Sequence, residues 1–72
     1  MDDERIISLF FARDEAAIEG CRAKYGAYLR RVAENVTGSA LDAEECEADA
    51  YEAAWRRIPP ERPRSLRAWL AK

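Results

Sequence analysis

Histidine is absent from this 72-residue chain, and cysteine, glycine and proline are scarce, at two, three and three residues. Without histidine the chain lacks the side chain that most often moves a proton near neutral pH and most often binds a metal. No serine or cysteine has a base beside it to activate it, and no glycine-rich phosphate loop or Walker-type segment occurs. Cys21 and Cys46 fit no metal-ligand spacing. Carboxylates are plentiful, but solvated helix faces account for them better than a catalytic pair. The chain is therefore not expected to be an enzyme, and neither a metal nor a cofactor is expected. Two thiols do not make the disulfide framework of a secreted domain, so they read as reduced side chains on helix faces.

Long apolar runs are missing too. Nothing approaches the roughly 20 residues that cross a bilayer, and no signal peptide is present. Met1 followed by Asp2-Asp3-Glu4 reads as a native cytoplasmic start, so a cytoplasmic location is expected, with no membrane partner. Valine, isoleucine and threonine are few, which leaves strands poorly supported, while alanine abounds and 49% of residues are apolar. The expected fold is all-α, a small bundle of three to four helices. Residues 1–72 make one small domain or a fragment of one, with only a few kcal/mol of stability.

The net charge of −2 hides an alternation along the chain. Residues 1–20 hold six acids and two bases, residues 21–37 one acid and four bases, residues 38–54 six acids and no base, and residues 55–72 one acid and six bases. Blocks of opposite sign let antiparallel neighbouring helices attract. They also leave an acidic patch and a basic end.

Four helices follow from periodicity and capping. The first is predicted over Asp3 to Ala12, with Asp2, Asp3 and Glu4 at the end where the helix dipole favours anions. Its Ile6, Ile7, Leu9, Phe10 and Phe11 are too apolar for a solvated helix, and Phe10 or Phe11 is expected to stay partly bare. Asp14 is a candidate N-cap for a second helix running to about Thr37. Ala17, Ile18, Cys21, Tyr25, Tyr28, Leu29, Val32, Ala33 and Val36 give it one continuous apolar stripe. Gly20 and Gly26 weaken it by about 1 kcal/mol each relative to alanine. Gly38 suits a left-handed C-cap. Asp42 is then expected to cap a third helix reaching Ile58, with Glu45 closing a capping box and Pro59-Pro60 forcing the stop. Ser65 can cap a last helix carrying Leu66, Trp69 and Leu70, which is barely two turns long and looks cut through an element.

The third helix carries the most information. On a helical wheel Asp49, Glu52 and Arg56 fall within about 40° of Glu45, which makes an outward charged stripe. Cys46, Ala50, Tyr51, Ala53, Ala54, Trp55 and Ile58 fill the other side, mostly small residues that let helices approach closely. Glu47 breaks the pattern by projecting into the apolar arc. A buried unpaired carboxylate is costly. Either it reaches Arg30 or Arg31 on the second helix, or that arc is less buried than the wheel implies.

Asp42-Ala-Glu-Glu-Cys-Glu-Ala-Asp-Ala-Tyr-Glu-Ala-Ala-Trp55, then Ile58-Pro-Pro60, then Leu66-Arg-Ala-Trp-Leu-Ala-Lys72 resemble region 2 of sigma-70 family RNA polymerase sigma factors, most closely the extracytoplasmic-function group. Ala17-Ile-Glu19, Lys24-Tyr-Gly-Ala-Tyr-Leu29 and the opening from Ile6 to Glu19 fit the same pattern, so the likeness spans nearly the whole chain. The resemblance implies a bacterial transcription initiation factor domain. It would dock on the clamp helices of the largest catalytic subunit of core RNA polymerase and help recognise and open the promoter's minus-ten element. It places docking on the third helix, where the stripe Glu45, Asp49, Glu52 and Arg56 is the candidate contact. It also admits an anti-sigma factor as a partner.

Two departures stand out. Where family members usually carry an apolar residue followed by a polar amide, this chain has Glu47-Ala48. The family's promoter-reading helix also continues past the equivalent of Leu70, with an Arg-Asn pair and further basic and aromatic residues. Arg62, Arg64, Arg67 and Lys72 are thus candidates for phosphate contacts and not for base readout. Trp69 reads as core with Leu66 and Leu70, and Trp55 as a core-edge residue. A different function is a helical protein-interaction or dimerisation module outside transcription. An exposed Phe10/Phe11 pair and self-association through the short last helix would favour it. A third is direct nucleic-acid binding by the basic end.

Overall fold

The computed structural model describes residues 1–71, and among them the chain forms four helices and no strand: α1 (Asp3–Phe11), α2 (Ala16–Thr37), α3 (Ala40–Arg57) and α4 (Leu66–Leu70). The all-α expectation holds. The main packing is α2 on α3, with α1 laid against α2 and α4 against α3. None of the described helices is long and apolar enough to cross a membrane.

Local chemistry sets the helix ends. The Asp2 carboxylate accepts the Arg5 backbone N–H at 2.8 Å, and Asp3 and Glu4 fill the first turn of α1. Neighbouring residues on a helix point about 100° apart, so only one of the two phenylalanines can face the core. Phe10 is fully buried, while Phe11 is 39% exposed beneath the Arg62 guanidinium, 5.2 Å from its ring. The exposed pair that would have favoured a dimerising module is thus a single, partly exposed ring with a cation beside it. The chain turns from α1 into α2 at Arg13, which sits at φ 57°, and the Asp14 carboxylate accepts the Ala16 N–H at 2.9 Å. The N-cap position of α2 falls on Glu15, which makes no side-chain cap bond, so Asp14 serves the first helical N–H from one residue before the expected place. Gly38 takes φ 73° and its N–H bonds the Glu34 carbonyl at 2.7 Å, which ends α2.

Helix α3 begins earlier than its acidic run suggests. The cap is Ser39, whose Oγ accepts the Asp42 N–H at 3.3 Å, and Asp42 lies in the first turn. A serine followed by two apolar residues offers the same cap one turn upstream, and the chain leaves the left-handed Gly38 already pointed into it. At the other end α3 stops before Pro59. The Ser65 hydroxyl accepts the Ala68 N–H at 3.2 Å and starts α4, as its sequence indicates.

The core is built from Ile6, Phe10, Cys21, Ile58 and Leu66, all fully buried, with Ala17 and Ala54 allowing close approach. Burial, and after it the Asp3 carboxylate, pushes the Cys21 thiol up to about 12, so it stays protonated. The apolar stripe of α2 is only partly used. Ala17, Cys21 and Leu29 are buried and Val32 and Ala33 half-buried, but Val36 is 82% exposed. Among the described residues, no element covers the last turn of α2.

Candidate functional site

Helix α3 shows two opposite faces. Ala43, Glu47, Tyr51 and Ala54 are buried, and Ile58 continues their line beyond the helix end, at steps of three and four residues. On the far side Glu45, Asp49, Glu52 and Arg56 are all exposed, as the wheel requires. Arg56 donates to Glu52 at 2.6 Å, an ion pair one turn apart with both side chains more than half exposed. Such a pair adds little stability. It leaves Glu45 and Asp49 as carboxylates without an ion-pair partner among the described residues, aligned along one face.

Cys46 does not join the buried face. It lies about 100° from Glu45, at the margin of the apolar arc, and is exposed. The wheel assigns the edge of a stripe less well than its centre, because the depth of the neighbouring helix decides where cover ends.

Glu47 holds the stripe's orientation. Its carboxylate is buried, accepts Arg30 Nη1 at 2.8 Å, and accepts the Tyr51 hydroxyl in a short hydrogen bond. Of the two arginines the sequence offered, Arg30 is the partner. Burial, followed by the bond to Glu47 and its negative charge, raises the Tyr51 hydroxyl well above the ordinary tyrosine range, so it stays protonated and donates to the carboxylate. The Arg22 guanidinium lies 5.3 Å from the Tyr51 ring on its other side. The cluster fits because α2 carries glycine at position 26. A Cβ there would lie 2.8 Å from Glu47 Oε2. The glycine that weakens the helix locally is what admits the carboxylate.

The basic end is dispersed. Arg62 covers Phe11 of α1, whereas Arg67 lies 4.4 Å from the Tyr28 ring of α2. Arg64 is exposed, with no carboxylate or ring partner among the described residues. Lys72 lies outside the described residues. The Trp69 indole is half-buried and donates to Glu61 at 3.0 Å, and Glu61 also pairs with Arg57 at 2.6 Å. Trp69 is therefore held in the bundle, in keeping with the core reading.

One residue escaped the sequence reading. Arg13 donates to the Trp55 carbonyl at 2.7 Å and the Ile58 carbonyl at 3.3 Å, with its guanidinium 3.9 Å from the Trp55 ring. It closes the C-terminal end of α3 and packs on the tryptophan in one contact. No local pattern signals it, because the partners lie more than 40 residues apart.

No curated protein and no solved structure matches the chain. A family model described as Sigma-70 region 2 does match, over residues 22–72. That span takes in α2 from its second turn, all of α3 with its charged stripe, the proline loop and α4. It covers well over half of the sequence, and the four-helix architecture agrees with it. The chain belongs to the sigma-70 region 2 family and is a domain of a transcription initiation factor.

Proposed function

We propose that residues 1–72 act as one domain that docks on core RNA polymerase through the outer face of α3. Glu45, Asp49, Glu52 and Arg56 meet the clamp helices of the largest catalytic subunit, as in extracytoplasmic-function sigma factors. The observation that carries this reading is the shared exposure of these four residues on a helix whose opposite face is anchored by Glu47. Carboxylates aligned on a rigid helix offer a fixed negative field to a basic partner. The exposed Arg62, Arg64 and Arg67 supply phosphate contacts and contribute to recognition and opening of the minus-ten element. An anti-sigma factor covering the α3 face would block docking.

The test is a titration of core polymerase with the chain and with its Glu45→Ala/Asp49→Ala/Glu52→Ala variant. The variant should bind at least about tenfold more weakly, and wild-type affinity should fall as salt rises. Equal affinities, with circular dichroism showing both proteins folded, would remove the assigned interface.

A further inference from the structure

The loop between α3 and α4 holds a clasp that reaches both helices. Glu61 lies in it, with its backbone N–H bonded to the Arg57 carbonyl at 2.9 Å. One carboxylate oxygen accepts Arg57 Nε of α3 at 2.6 Å, and the other accepts the Trp69 indole N–H of α4 at 3.0 Å. The Arg57 guanidinium lies 5.4 Å from the Trp69 ring, which closes the triangle. Both side chains of the ion pair are more than a third exposed, so it adds little stability. Its effect is one of direction. Leu66 and Leu70 are buried and hold α4 down, but apolar contact is non-directional and leaves the roll of so short a helix loosely set. A hydrogen bond to a fixed carboxylate sets it.

Residues 67 and 69 stand about 200° apart on a helix, so the roll that seats Trp69 also determines where Arg67 points. Arg67 lies 4.4 Å from the Tyr28 ring of α2 and has no ion-pair partner among the described residues. We propose that Glu61 is a positioning residue for nucleic-acid contact: by holding Trp69 against α3, it aims Arg67 at a DNA phosphate. The proposal rests on the reading that Arg67 meets phosphate, and adds the acidic residue on which that contact depends. Its sign is opposite to simple electrostatics. A carboxylate near a polyanion repels it, so removing Glu61 should tighten DNA binding unless the carboxylate acts through the arrangement of α4.

The probe is a labelled single-stranded DNA oligonucleotide of mixed sequence, read by fluorescence anisotropy at low salt, with circular dichroism showing each variant folded. Arg67→Ala should weaken binding about fivefold and reduce the slope of log affinity against log salt by about 0.7, the value for one phosphate contact. Glu61→Gln and Glu61→Ala lose the same charge, but only Glu61→Gln keeps an oxygen for the Trp69 N–H. Glu61→Gln should therefore bind at least as tightly as the wild type, and Glu61→Ala about fivefold more weakly than Glu61→Gln. Trp69→Phe keeps every charge and loses only the donor. It should fall to the Arg67→Ala level, and it carries the test should Glu61→Ala not fold. In an Arg67→Ala background the difference between Glu61→Gln and Glu61→Ala should vanish. Equal binding by Glu61→Gln and Glu61→Ala, a difference that survives Arg67→Ala, or wild-type binding by Trp69→Phe overturns the proposal and leaves the phosphate contact standing. Unchanged binding by Arg67→Ala, or no binding by the wild type, overturns that contact and the proposal with it.

Discussion

Replacing Glu47 by alanine tests how α3 is held on α2. The substitution removes the only hydrogen-bond acceptor shown for the Tyr51 hydroxyl, on a residue only 5% exposed. A buried hydroxyl left without a partner costs about 1–3 kcal/mol. The lost methylene adds about 0.8 kcal/mol. Alanine's better helix propensity returns a few tenths of a kcal/mol. Arg30 swings into water and contributes no penalty of its own. The net loss is about 1.5–3.5 kcal/mol, a large share of the roughly 4–11 kcal/mol expected for a domain this size. Trp55 and Trp69 are both half-buried, so urea unfolding followed by tryptophan fluorescence reads the effect. With a slope of about 1 kcal/mol per molar urea, the midpoint should fall by about 1.5–3.5 M. Adding Tyr51→Phe removes the orphaned hydroxyl, so the double variant should recover about 1 kcal/mol relative to the sum of the single changes. A Glu47→Ala loss under about 0.5 kcal/mol, or strict additivity in the cycle, would refute the reasoning.

Gly26→Ala should destabilise the fold even though alanine favours helices by about 1 kcal/mol, because its Cβ would displace the Glu47 carboxylate from Tyr51 and Arg30; a raised urea midpoint would contradict this. Burial works against the Asp3 carboxylate, but hydrogen bonds from Lys24 and Tyr25 outweigh it and hold its pKa below the ordinary 3.8. The folded state thus binds that proton less readily than the unfolded chain. The stabilisation is complete above the ordinary carboxylate range and is lost as pH falls through the lowered value. Asp3→Asn should lower stability near neutral pH and flatten the acid limb of a midpoint-against-pH curve. Cys46 should react with a thiol reagent at once in the native protein, whereas Cys21 should react only on unfolding; equal rates would contradict the burial of Cys21. Arg13→Ala should lower stability by about 1 kcal/mol and shift the Trp55 emission, since it removes the donor to the Trp55 and Ile58 carbonyls at the end of α3.

Much of this protein was legible as local pattern. Asp2, Asp14, Gly38 and Ser65 each end or begin a helix through atoms a few residues away, so their roles could be read directly. The stripe on α3 was legible for the same reason, because four residues at helical spacing share a face whatever packs behind them. The start of α3 was misplaced because Ser39 and Asp42 offer the chain equivalent caps, and the direction in which Gly38 releases the backbone chooses between them.

Sequence alone determined the helical class, the helix count and which residues of α3 look outward, since these depend on spacing and on chemistry within a turn or two. The tertiary structure decided the rest. It selected Arg30 for Glu47, buried Phe10 in place of Phe11, bound Arg13 to the end of α3, and left Val36 uncovered and Cys46 exposed. Each of these depends on which distant segment arrives beside the residue and how far it extends. A periodic pattern carries the direction of a side chain, and only packing between helices supplies what stands opposite it.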